Sequence, residues 1–220
     1  MYPLLFSPMK IGEAEIKNRV VMAPMLMDFG QFDGAVTPQM SDYYTRRAEG
    51  GAGLIITEVT RINGRTGAAA FAQMAMTHDS QIAPLAAMAE RIHAYSTKLF
   101  VQLHHPGRQN MGLLIGTVPL SIFMDRHFRG YRKLMYRIVP AGKVLMRKDL
   151  VPRAVAPSKC ERSAFSGAKS RALRKGEIKK LITQFAEAAQ RVQKAGADGV
   201  ELHASHGYLI QQFLSPNTNK

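Results

Sequence analysis

Arg19-Val20-Val21-Met22-Ala23-Pro24-Met25 is the stretch that decides the fold. Its apolar, β-branched run reads as a buried strand, and proline closes it because a residue without an N–H cannot extend a ladder. A dinucleotide-binding sheet would carry G-x-G-x-x-G directly after such a first strand, so that the backbone can approach a pyrophosphate. Here Ala23-Pro24-Met25 follows instead, no later strand is followed by that pattern, and no P-loop is present.

Outward from this strand the chain alternates. Thr37-Pro38 starts a helix, with threonine as cap and proline where a missing N–H costs nothing; it runs through Tyr43, Tyr44 and Ala48 to Gly50-Gly51. Leu54-Ile55-Ile56-Thr57-Glu58-Val59 is the second strand. Asp79-Ser80 caps a helix with Leu85, Met88, Ala89 and Ile92 on one face, and Leu99-Phe100-Val101-Gln102-Leu103 is the third strand. Ile178, Leu181, Ile182, Phe185, Ala189 and Val192 fall at helical spacing, and Gly199-Val200-Glu201-Leu202-His203 is the fourth strand. Strands alternating with amphipathic helices imply parallel βαβ units, and the missing fingerprint favours a (β/α)8 barrel over an open doubly wound sheet. A barrel of this kind takes about 250 residues for eight strands. Four strands in 220 residues give the expected fold class: α/β, the N-terminal half of a TIM barrel.

Composition sets the outer bounds. Hydrophobic residues at 46% and charged residues at 21% exclude a disordered or collagen-like chain, and the lone Cys160 excludes a disulfide scaffold. No basic segment precedes an apolar run at the N-terminus, and the uncharged run Gln109 to Met124 is shorter than a membrane span and interrupted by Pro119. The expected compartment is the cytoplasm. The net charge of +14 is local: residues 126–180 hold 17 Lys/Arg against Asp149, Glu161 and Glu177, and the remainder of the chain is balanced. This basic part has few aromatics (Phe128, Tyr131, Tyr136, Phe165) and no reading motif, so a nucleic-acid partner is not expected. It lies in a stretch after strand three far longer than an ordinary βα loop. In a barrel that loop lies on the active-site face, so residues 109–175 read as a lid or substrate-binding insertion, with a subunit-contact arm or a membrane-surface helix as rivals.

Polar residues gather at four strand ends: Ala23 to Asp28, Glu58-Val59-Thr60, Gln102 to Arg108, and His203-Ala204-Ser205-His206-Gly207-Tyr208. Gln102 interrupts an apolar strand, and a buried amide left without partners costs about 1–3 kcal/mol, so an imide-like ligand edge would satisfy both of its ends. Two histidines at i, i+3 without a third ligand do not make a zinc site. His203, His206 and Tyr208 are then either strand-end residues satisfied by packing, or two N–H donors beside a phenol that can give up a proton. The second arrangement polarises a carbonyl and protonates the adjacent carbon. No G-x-S-x-G elbow supports acyl transfer.

These motifs, in this order, resemble the old yellow enzyme family of FMN-dependent ene-reductases, on the NADH:flavin oxidoreductase branch that includes dienoyl-CoA and enoate reductases. The resemblance runs from Leu5-Phe6-Ser7-Pro8 and Lys17 to Met25, through Gly53 to Glu58, Gln102 to Arg108 and Ala156-Pro157-Ser158, to His203 to Pro216. It implies a single partial FMN-binding barrel domain over 1–220, with a capping hairpin at its start. It also implies that Ala23, Pro24, Met25, Leu26, Val59 and Gln102 contact FMN. His203 and His206, with Asp28 nearby, would bind the substrate, and Tyr208 would donate the proton. NAD(P)H would be the reductant, and the substrate an activated alkene such as an enone, an enoate or an enoyl-CoA. The basic insertion suggests an acidic or CoA-linked substrate, recognised through Arg129, Arg132 and Lys133. Leu26 departs from the Cys or Thr that many members carry there. The iron–sulfur cluster of the longer relatives is not expected within this chain, and no other metal site is expected. A half barrel exposes two sheet edges, so impaired FMN binding and activity, and self-association through those edges, are expected of the chain alone. The alternative is a non-catalytic half barrel that assembles with itself or with a partner chain.

Overall fold

The computed structural model describes residues 2–31, 33–64, 66–70, 72–110, 128, 154–159 and 170–220. They fall into two compact units: Met1–Thr60 with Ala72–Leu103 and Gln184–Leu202, and Arg61–Phe71 with His104–Thr183 and His203–Lys220.

The first unit opens with an antiparallel hairpin, β1 (Met9–Ile11) and β2 (Ala14–Ile16), turning at Gly12 with φ +58°. Four parallel strands follow: β3 (Val21–Met22), β4 (Leu54–Ile56), β6 (Lys98–His104) and β9 (Gly199–Leu202). Their registers are Val21↔Leu54, Ile56↔Phe100 and Gln102↔Glu201. Thr60–Arg61 forms the short β5. Because side chains alternate along a strand, Leu54, Ile56, Phe100, Gln102 and Glu201 share one face. Hairpin residues Met9 and Ile16 pack with Leu54, Ile56 and Phe100, so the hairpin closes the lower part of that face, as the capping role requires. The opposite face carries Ile55, Leu99, Val101 and Leu103, all fully buried. Gly199 is required beside Phe100, since a Cβ there would come within 2.7 Å of the ring.

Helix α1 (Pro38–Glu49) begins as the sequence predicts: Thr37 Oγ1 accepts from the Met40 N–H at 3.1 Å, and Pro38 takes the first turn. Helix α2 (Ile82–His93) buries Leu85, Met88, Ala89 and Ile92, the expected face. Its entry differs from expectation. A 3-10 turn, Asp79–Gln81, precedes it, and the Gln81 side chain ties the start of that turn, accepting from the N–H groups of Thr77 and His78 at 2.7 and 3.0 Å. Asp79 instead accepts from Arg191.

Three further expectations need correction. The first strand is neither long nor buried: β3 has two residues and Val21 is 43% exposed, because β3 pairs only with β4 among the described strands and the chain turns away at Ala23-Pro24. The second strand stops at Ile56, since Thr57 and Glu58 turn their side chains to loop backbone. In the long helix α3 (Lys175–Lys194), Ile182 is 65% exposed, whereas Leu181, Ala188 and Val192, at i, i+7 and i+11, are buried.

The second unit holds the turn Gly107–Gln109, the parallel pair β7 (Val155–Ala156) and β8 (Arg171–Ala172), the start of α3, and α4 (Leu209–Leu214). Most of the basic insertion, with Arg129, Arg132 and Lys133, lies outside the described residues. Among the described residues no helix is long and apolar enough to cross a membrane, and no group of metal-binding side chains occurs.

Candidate active site

In the first unit, one buried carboxylate organises the turn after β3. Glu58, fully buried, accepts from the N–H groups of Met27 (2.7 Å) and Asp28 (3.1 Å) through one oxygen and from Met74 N–H (2.8 Å) through the other. Its own N–H donates to Tyr44 Oη at 2.7 Å. Burial pushes the Glu58 carboxyl above its ordinary value, and the three N–H donors work against that push. Asp28 sits at φ +58°, where its Oδ1 accepts from Ala72 N–H at 2.7 Å. Met25 and Leu26 are left 56% and 37% exposed just beyond the strand tip. Val59 is buried and its carbonyl accepts from Gln73 Nε2 at 2.9 Å. Gln102 is 4% exposed and donates through Nε2 to Glu201 Oε1 at 2.5 Å.

In the second unit, three imidazoles surround one phenol. The Tyr208 ring meets His104 edge-on at 4.3 Å and His203 at 4.8 Å between centroids, with His206 at 6.2 Å. His206 Nδ1 lies 3.1 Å from His203 Nε2. The backbone N–H of Ser205 points at His203 Nδ1 from 3.4 Å, which assigns that nitrogen as acceptor and His203 Nε2 as the donor to His206. Burial, then His105 and His203, hold His104 well below the ordinary histidine range, so it stays neutral. Burial likewise raises the Tyr208 phenol, keeping its proton in place.

The loops that carry these rings are tied by Gln212, which donates to the carbonyls of Gly207 (2.6 Å) and Pro106 (3.2 Å) and accepts from Arg108 N–H. Gly107 and Gly207 have positive φ, and a Cβ on Gly107 would run into the Gln212 amide at 2.4 Å. Fully buried His105 accepts from Gly107 N–H through Nδ1, leaving its Nε2–H for Thr66 Oγ1 at 2.8 Å. Burial lowers its pKa to about 3.

His203, His206 and Tyr208 are thus brought together in one unit, while Ala23, Pro24, Met25, Leu26, Asp28, Val59 and Gln102 belong to the other. Gln102 is buried, as expected, but its donor end is met inside the protein by Glu201. Sequence reasoning passed over Glu58, Glu201, His104 and Gln212 as separate residues. The readable signal was an acid inside an apolar strand: both Glu58 and Glu201 have it.

The sequence profile of the NADH:flavin oxidoreductase / NADH oxidase family matches residues 4–220. The chain belongs to that family. It is 36% identical over 219 residues to the NADH oxidase of Thermoanaerobacter brockii, covering 100% of this chain and 28% of that relative. Among solved structures it matches the old yellow enzyme from Pichia sp. AKU4542 (TM-score 0.74, 26% identity, 99% of this chain and 50% of that one). It also matches a 2-naphthoyl-CoA reductase solved with 2-naphthoyl-CoA (TM-score 0.77, 26% identity, 100% of this chain and 30% of that one). The fold is therefore that of half an old yellow enzyme barrel, and the chain spans half or less of the length of these proteins.

Proposed function

We propose that this chain supplies the FMN-facing strand tips and the proton donor of an NAD(P)H-dependent reductase acting on activated C=C bonds. The observation that carries the proposal is the ring cluster: a phenol kept protonated by burial, bordered by neutral His104 and by the linked His203–His206 pair, whose outer N–H can point at a substrate oxygen.

The residues present fit a flavin. Gln102 is a nearly buried amide on the face it shares with Phe100 and Glu201, with an acceptor oxygen beyond the end that Glu201 occupies. Met25 and Leu26 offer exposed apolar surface at a strand tip, suited to a flat ring. Ala23, Pro24 and Val59 would contribute backbone and apolar contact. When bound, FMN supplies the two-electron chemistry between NAD(P)H and the alkene.

The protein's own part is polarisation and proton supply. His203 Nε2–H donates toward His206, whose own N–H is then aimed onward at the oxygen of a carbonyl or carboxylate. Hydrogen bonding to that oxygen draws electron density from the conjugated carbon–carbon bond. Tyr208 Oη delivers the proton to the carbon next to the carbonyl, and the neutral His104 at its ring edge adds no charge that would strip that proton early. Charged enoyl substrates are part of the proposal, as is a cytoplasmic setting, consistent with one cysteine in 220 residues. Because the chain spans half of the Pichia enzyme, FMN is proposed to bind weakly to these 220 residues alone. Self-association of the half barrel is the second reading, favoured by Val200 and Leu202 of β9 being 36% and 55% exposed while their register partners Val101 and Leu103 are buried. A stable folded monomer in a mass measurement removes it.

Rapid-mixing kinetics with excess FMN test the main proposal. Tyr208→Phe is expected to slow alkene reduction by about 10²–10⁴-fold while flavin reduction by NAD(P)H stays within about twofold. Equal loss in both half-reactions would remove Tyr208 as proton donor.

A further inference from the structure

The Gln102–Glu201 pair has a consequence for which ligand edge this site can read. Gln102 and Glu201 are direct register partners on neighbouring parallel strands β6 and β9, on the same face. The residues one layer below them are Phe100 and Gly199, where the phenyl ring covers the glycine. The amide and the carboxylate therefore form a polar layer resting on an apolar one. The 2.5 Å contact runs from the Gln102 amide nitrogen, the donor, to Glu201 Oε1, the acceptor. That single contact removes the ambiguity of an amide, whose two ends are otherwise interchangeable in shape. The NH2 end faces Glu201 and the carbonyl oxygen faces away from it.

We infer that Glu201 is a positioning residue that fixes the polarity of Gln102, so that a bound ring must meet the Gln102 oxygen with an N–H. An imide edge answers this requirement, because its N–H sits between two carbonyl oxygens and can also take up the second amide hydrogen of Gln102. Were the amide reversed, two donors would oppose each other and the hydrogen bond would be lost. For the flavin this deepens the function proposed above and rests on it; the orientation of the amide itself does not.

The test separates the two. In the full chain, side-chain amide NMR signals of Gln102 are compared between wild type, Glu201→Met (similar length, no oxygen) and Glu201→Gln (a carbonyl that can still accept). One Gln102 amide proton is expected downfield in wild type, lost in Glu201→Met and largely retained in Glu201→Gln. Signals that do not respond to Glu201→Met overturn the inference. The same samples are titrated with FMN and with N3-methyl FMN, in which the imide N–H is blocked. Wild type is expected to prefer FMN by about tenfold or more, Glu201→Met by less than about threefold, and Glu201→Gln to recover most of the preference, at the order expected of one hydrogen bond. A preference unchanged in Glu201→Met, or none in a wild type that binds both flavins, overturns the inference while leaving FMN binding standing. Failure of wild type to bind either flavin counts against the flavin reading, and the amide signals then decide the role of Glu201.

Discussion

The two units bury polar groups in opposite ways. In the first, carboxylates are saturated by fixed donors: Glu58 by three backbone N–H groups between 2.7 and 3.1 Å, and Asp198 by Leu99 N–H, Lys98 Nζ and His93 Nε2 between 2.7 and 2.9 Å. In the second, His105 and His203 are buried imidazoles linked to hydroxyls, and His203 is linked to the ring of His206 as well. A carboxylate held by backbone cannot change its state without loosening a turn. A ring that donates at one nitrogen and accepts at the other can pass a proton and keep its place. Holding thus falls to the acids of the strand tips, and the proposed chemistry to the rings of the loops that follow.

The sharpest way to break this contrast is to spoil the holding. Glu58→Gln keeps the shape but sets an NH2 against either the Met27/Asp28 pair of N–H groups or the Met74 N–H. One buried donor then faces another, and unfolding free energy from urea titration is expected to fall by about 1–3 kcal/mol. Loss of protection should appear in residues 23–28 and 72–76. A variant as stable as wild type would show that Glu58 is replaceable there, and that the assignment of holding to the acids is wrong.

The second test uses pH. His104 and His105 are held below their unfolded value near 6.5, His105 to about 3, so the folded state binds fewer protons than the unfolded one. Stability from these rings is complete above about pH 6.5 and is lost as pH falls toward 3. Asp198 is also lowered: burial raises it, but Lys98, Leu99 N–H and His93 together outweigh burial. Its contribution is present above its unfolded value, 3.8, and is lost only below that. Hydrogen exchange at pH 5 against pH 7.5 is therefore expected to loosen residues 104–110 and 209–214 before 54–56 and 98–103. Uniform loosening would erase the distinction between the units.

Much of this layout is legible in the residues, for identifiable reasons. Thr37-Pro38 fixes a helix start because its requirements are local, and the stripe of α2 is set by spacing alone. His203, His206 and Tyr208 could be placed together because a short stretch after one strand cannot spread them far. What was not legible depends on residues distant in sequence. Val21 looks like core by composition, yet β3 has only β4 beside it among the described strands, and its surface stays open. Ile182 fits the helical period but misses the buried line drawn by Leu181, Ala188 and Val192. Glu58, Glu201 and Gln212 take their roles from partners 5 to 106 residues away, which no spacing rule reaches.

The smallest expected effect tests whether the contrast depends on burial. Glu177 is an acid with as many partners as Glu58, but on the surface: it receives Arg171 through both oxygens, at 2.5 and 2.8 Å, and accepts from Arg174 N–H at 2.9 Å in the first turn of α3. The Arg171 hydrogen bonds, then the Arg174 N–H, bring its pKa down to about 2. Solvent screens the pair, since the two side chains are 46% and 37% exposed. Glu177→Ala is therefore expected to cost about 1 kcal/mol or less at neutral pH, most of it from the lost helix cap. The sign follows from the lowered pKa: the contribution is present above about pH 4.5 and disappears as pH falls toward 2, so variant and wild type should converge in acid. A loss at pH 7 as large as that of Glu58→Gln would mean that the number of partners, and not their burial, sets what an acid is worth in this protein.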